Sequence, residues 1–136
     1  MKKELQERLF QRHSKLFRQR ELSKREPIMS LGIEVEGDGW YWLLDKLCEC
    51  IQECIDRNRL EQIEFTQVKE KLSKLCIYTN YDNEKINGMI WLAGHLSGYI
   101  CERCGAAGNV TRLEGLIKAL CGNCKTDIEN VRKSLY

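Results

Sequence analysis

The sequence predicts an α+β fold: helices packed on a small antiparallel β-hairpin, with a C-terminal four-cysteine zinc ribbon. Three observations predict it. Two C-x2-C pairs, Cys101/Cys104 and Cys121/Cys124, have sixteen residues between them. Two stretches, 40–57 and 84–98, repeat apolar residues at helical spacing. Two short runs rich in β-formers, 63–68 and 75–79, flank a polar gap.

Taken in order, residues 2–24 read as one helix, with Leu5, Leu9, His13, Leu16 and Phe17 on its apolar side. That stripe is thin and the charge around it dense, so the helix needs something to dock on. Arg25 to Ile28 end it, because the residue before Pro27 resists the helical region. Residues 28–35 read as a mixed extended stretch. Gly37-Asp38-Gly39 reads as a turn, with Asp38 or Gly39 opening the next helix.

That helix carries Trp40, Leu43, Leu44, Leu47, Cys48, Ile51, Cys54 and Ile55 on one face, and should be the main wall of the core. Trp42 and Cys50 fall off the stripe. An off-stripe Trp42 either anchors an interface or lies under the N-terminal helix. The hairpin follows, with Lys69 to Lys74 at its tip, and Asn80 to Asn83 form a turn. The second strong helix (Ile86, Met89, Ile90, Ala93, Leu96) delivers the chain directly into Cys101. Between the cysteine pairs, 109–113 and 116–120 suit two ribbon strands. Ile128, Val131 and Leu135 suggest a short closing helix. The organisation is therefore a basic N-terminal helix (1–26), an α+β core (27–99) and a zinc ribbon with its closing helix (100–136).

The cysteines carry the chemistry. Thiolates at i and i+3 of a tight turn can face one metal, and zinc takes four soft ligands in a tetrahedron. Gly105 and Gly122 are read as supplying the backbone freedom of two such turns. Cys101, Cys104, Cys121 and Cys124 are the predicted zinc ligands. Four thiolates close the coordination sphere, so the metal folds the chain and performs no catalysis. A metal-knuckle nuclease is a poor reading, since residues 105–120 contain neither His nor Asp. His95 is better read as a surface residue than as a fifth candidate ligand. Cys48, Cys50, Cys54 and Cys76 read as packed small hydrophobes rather than a second site.

Composition bounds the partner. The 136-residue chain is 43% hydrophobic with one proline, as a compact unit requires. Its formal charge is +2. A dication on four thiolates brings it near neutral, unlike a general nucleic-acid binder. The charge is uneven: net +5 over residues 1–26, −6 over 27–70 and +3 beyond. Intramolecular pairing of the basic and acidic stretches is the simplest reading. No signal-peptide pattern and no membrane-length apolar run is present, and metal thiolates suit a reducing compartment; the expectation is cytoplasmic.

Gly37-Asp38-Gly39-Trp40, then Leu44, Leu47-Cys48 and Ile51-Gln52, then Gln67 to Lys71 and the four ribbon cysteines together resemble a family of small, largely uncharacterised proteins of tailed phages and prophages. The resemblance covers about residues 37–124. The chain departs from the family pattern at 72–78, where the family often has a glycine turn. The resemblance implies a phage or mobile-element setting, with the host cytoplasm as the compartment, and little chemistry.

With no nucleophile–base pair or phosphate loop, the expectation is a non-enzymatic protein that binds a host protein, in its sharpest form inhibiting a defence complex such as a CRISPR effector. The alternative is a zinc-ribbon nucleic-acid-binding regulator. Candidate partner-binding residues are Arg8, Arg12, Lys15, Arg18, Arg20 and Trp42. No membrane partner is expected, and the sequence leaves the oligomeric state open.

Overall fold

A computed structural model describes residues 1–23 and 31–136. The break expected at 25–28 and the start of the extended stretch lie outside the described residues. Helix α1 spans Lys3–Arg12 and α2 Arg18–Ser23. The single helix expected over 2–24 is therefore interrupted at 13–17. The interruption turns Leu16 and Phe17 inward: Phe65 donates its N–H to the Leu16 carbonyl at 2.7 Å. Phe17 packs edge-on between Phe10 and Phe65, with ring centroids 5.0 and 5.2 Å away. Leu9, Phe10, Leu16 and Phe17 are all part of the main core. The basic N-terminal segment is thus built into the body rather than projecting from it.

Strand β1 (Ile33–Glu34) pairs in parallel with β2 (Phe65–Lys71), the two being joined through helix α3 (Tyr41–Asn58). This parallel pairing was not legible in the sequence, because two residues carry no periodicity. Strand β3 (Lys74–Thr79) completes a sheet of order β1-β2-β3, antiparallel to β2 as the sequence predicts. Leu72 and Ser73 make the two-residue hairpin turn, both at positive φ (50° and 63°).

Helix α3 buries Leu43, Leu44, Leu47, Cys48, Ile51, Cys54 and Ile55, the stripe its spacing predicts. Its start differs. Trp40 is the capping position, and no side chain caps the helix. The Asp38 carboxylate instead accepts the Lys2 N–H at 2.8 Å. Helix α4 (Glu84–Ser97) is capped by Asn83, whose side chain accepts from the Lys85 and Ile86 N–H groups. It lies on α3 and β3, and Ser97 Oγ accepts the N–H of Leu75 at 2.9 Å. Ile86 and Ala93 face the core, whereas Leu96, placed on the stripe by sequence, is exposed.

The C-terminal third is a two-stranded ribbon, β4 (Asn109–Leu113) and β5 (Leu116–Leu120), followed by α5 (Gly122–Ser134). Glu114 and Gly115, both at positive φ, turn the ribbon. Ala119 belongs to the main core, while Cys101, Leu113 and Leu120 form a smaller cluster beneath the cysteines.

Candidate metal centre

The first cysteine pair sits in a knuckle just after α4. Cys101 donates its N–H to the Ala106 carbonyl at 2.8 Å, and Gly105 donates to the Cys101 carbonyl at 2.9 Å. Gly105 takes φ +82°, the conformation predicted for it. The second pair is built differently. Cys121 caps α5 and its sulfur accepts the Cys124 N–H at 3.5 Å. Gly122 is an ordinary helical residue with open space where a Cβ would stand, so the glycine turn expected there is replaced by a helix N-terminus. That end of a helix carries partial positive charge and favours thiolates.

The four sulfurs converge within 4.8 Å of one another, with Cys104 and Cys121 Sγ atoms 3.7 Å apart. A tetrahedron of zinc–sulfur bonds has edges of about 3.8 Å, from a bond length of about 2.3 Å. The set therefore has the size and donor chemistry of a metal site, and all four cysteines are free of disulfides. Burial alone would raise the Cys101 thiol. The backbone N–H groups of Cys104, Cys121 and Arg103 overcome this and bring it down to about 7. Burial and then the neighbouring sulfurs push Cys124 up to about 12. Four thiols so close cannot all ionise by themselves, and a dication among them relieves that conflict.

The knuckle is clasped by the loop that the sequence reads as a helix start. Gly39 donates its N–H to the Glu102 carbonyl at 2.8 Å, and Trp40 Nε1 donates to the Ile100 carbonyl at 2.9 Å. A Cβ on Gly39 would stand 1.9 Å from the Cys101 carbonyl oxygen, and one on Gly37 would stand 2.2 Å from that of Glu102. The Gly-Asp-Gly-Trp motif is the seat of the metal knuckle. A Gly-x-Gly pair can signal close backbone approach, but nothing local says what approaches.

Two ion pairs sharing a partly buried lysine add a second tie. Lys118 on β5 reaches Glu102 at 2.9 Å and Glu36 at 2.8 Å. Burial alone would lower the Lys118 ammonium; the two carboxylates outweigh it and hold it well above its usual range.

Of the other sequence candidates, Arg8 and Lys15 are exposed. Arg12 binds Asp45 at 3.0 Å, Arg18 binds Glu64 at 3.4 Å, and Arg20 binds Glu7 at 2.5 Å and covers the Phe10 ring. Trp42 is 66% exposed. His95 is on the outer side of α4, stacked on Trp91. Cys48 and Cys54 are buried in the core, with burial raising the Cys48 thiol far above its usual range. Among the described residues no second group of metal-ligating side chains forms, and no helix is long and apolar enough to cross a membrane.

Fold and site together define an α+β protein with a four-cysteine metal-binding cluster. No family model, curated protein or solved structure matches the chain.

Proposed function

We propose that the protein is a non-enzymatic binding module that docks on another protein, with zinc as the structural ion in its four-cysteine centre. A closed set of thiolates leaves no position for water or substrate. The metal then holds the knuckle, the ribbon and α5 as one platform.

The observation that carries the docking reading is a groove of about 480 Å³ between α5 and the ribbon. Its apolar lining is Leu113, Leu116, Leu120, Ile128 and Val131, and charges of both signs rim it, among them Arg103, Arg132 and Asp127. No side chain of α5 is fully buried. An apolar centre with a polar rim is the anatomy of a protein interface. The resemblance to phage proteins makes a host protein the partner, and a host defence complex its sharpest form.

The nucleic-acid alternative is weakened by the ion pairs. Arg12, Arg18, Arg20, Lys118 and Arg132 each meet a carboxylate of the same chain, which reduces the cationic field a phosphate backbone would need.

Metal analysis should find one zinc per chain, lost in Cys104→Ser. Tagged protein should capture one identifiable host protein at high salt, and Val131→Glu should abolish capture without losing the metal. Salt-sensitive binding to random DNA with no captured protein would overturn the reading in favour of the nucleic-acid regulator.

A further inference from the structure

We propose that the solvent side of the β2–β3 hairpin, together with the rings on the outer side of α4, binds single-stranded nucleic acid. This surface is separate from the groove beside α5, and the inference does not rest on the protein-docking reading.

Strand alternation builds the cationic half. Val68, Leu75 and Ile77 are buried, so Lys69, Lys71, Lys74, Cys76 and Tyr78 point to the opposite side of the sheet. Lys71 and Lys74 stand directly across from each other, and Lys69 stands across from Cys76. Like charges directly opposite on paired strands destabilise a sheet. An anion seated between Lys71 and Lys74 removes that cost. Arg12, Arg18, Arg20 and Arg132 each meet a carboxylate. No ion pair engages these three lysines among the described residues.

Helix α4 supplies the stacking half. A groove of about 310 Å³ lies between β3 and α4, and its lining includes Lys74, Cys76, Tyr78, Trp91 and His95. The His95 ring stacks on Trp91, 5.7 Å between centroids and 12° from parallel, and Tyr99 continues the row 5.6 Å from His95. With His95 on one side, Trp91 is still 71% exposed. The other side of its indole is therefore open to a base. Lys69 Nζ stands 5.6 Å from the Tyr78 ring centre, so cations and rings share one surface.

The combination selects the ligand. In a single strand, bases stack on aromatic rings while the phosphates take the cations. A duplex keeps its bases stacked on each other and leaves the rings unused. Protein interfaces are depleted in lysine, which disfavours a protein on this side. Two acids border the surface: Glu34, beside Lys69 on β1, and Glu84, in the first turn of α4. Glu84 is followed by Lys85 and lies about 10 Å along the helix from Trp91. The phosphates therefore run over the hairpin lysines and not over the helix start.

The test is fluorescence anisotropy of labelled oligothymidylate, titrated with the full-length, metal-loaded chain over a range of salt. Binding is expected at low salt, with a log–log salt slope of about −2, from three phosphate contacts at about 0.7 each. Lys74→Gln should flatten that slope by about 0.7. Trp91→Ala should weaken binding about 5-fold or more with the slope unchanged, as for the loss of one base stack. Both variants should keep the circular dichroism and melting temperature of the parent. Val131→Glu, in the groove proposed to take a host protein, should leave the oligonucleotide bound. No binding at low salt, an affinity indifferent to Trp91→Ala, a slope indifferent to Lys74→Gln, or equal affinity for a duplex of the same length would each overturn the proposal. So would loss of binding in Val131→Glu, or displacement by polyglutamate or phosphatidylserine vesicles as effective as by unlabelled oligothymidylate.

Discussion

Gly39 donates its backbone N–H to the carbonyl of Glu102 across 2.8 Å, placing a glycine of the loop before α3 directly on the backbone of the metal knuckle. Because a Cβ there would stand 1.9 Å from the Cys101 carbonyl oxygen, loop and knuckle cannot both keep their places if the residue gains a side chain. Gly39→Ala is expected to cost about 3 kcal/mol or more, the upper range of overpacking, and to speed loss of metal to a chelator. Gly122→Ala is the contrasting case. It is helical and unobstructed, so alanine should leave metal retention unchanged and stabilise by about 0.5 kcal/mol. Denaturant unfolding with a colorimetric metal-release assay reads both.

Asp45 is the second place where the body depends on one group. It is buried in α3, and its Oδ1 meets His13 Nε2 at 2.7 Å and Arg12 Nε at 3.0 Å. Burial alone would raise its carboxyl; the hydrogen bond to His13 and the Arg12 charge outweigh this and hold it below the ordinary carboxylate range. A depressed folded value means that the stabilisation is present above the unfolded value, near pH 4. It is lost as pH falls through the lower folded value. Asp45→Ala should cost about 3–5 kcal/mol near neutrality, as for breaking a buried pair. Its acid-unfolding limb below about pH 4 should be flatter than that of the parent. Equal acid limbs in urea titrations would count against this account.

The β2–β3 turn stores avoidable strain. Leu72 is exposed and sits at φ 50°, a conformation costing a residue with a Cβ about 1–2 kcal/mol. Its neighbour Ser73 is buried, and its N–H donates to Glu70 at 2.5 Å, so it should be left alone. Leu72→Gly should stabilise by about 1 kcal/mol, a few degrees in Tm. A melting curve shifted downward would mean that the Leu72 side chain is needed for packing.

How far the sequence carried varied with the range of the interactions. The helices α3, α4 and α5, the hairpin and both ribbon strands are written in local periodicity and turn residues, and the four cysteines in their spacing. Glycine at 37 and 39, by contrast, gains its meaning from Cys101 and Glu102 more than sixty residues later, and β1 from Val68 and Lys69. The inward turn at 13–17 escaped for a related reason. Leu9, His13, Leu16 and Phe17 keep helical spacing whether or not the helix continues, and what interrupts it is Phe65.

That last contact decides what the N-terminal segment does. A thinly apolar helix set apart from the α+β core, as residues 1–26 read in the sequence, would be a removable arm whose loss spares the fold. Phe17, 1% exposed between Phe10 and Phe65, argues otherwise. Phe17→Ala is expected to cost about 3–5 kcal/mol, as for a large aromatic removed from a packed core. Deleting residues 1–17 removes Leu9, Phe10, Leu16 and Phe17 from the same cluster and strands Asp45 without Arg12 and His13. The truncated chain should therefore lose cooperative unfolding, seen as a broad, low-enthalpy transition by calorimetry. A truncated chain that melts sharply near the parent temperature would restore the removable arm, and with it Arg8 and Lys15 as surface residues dispensable for folding.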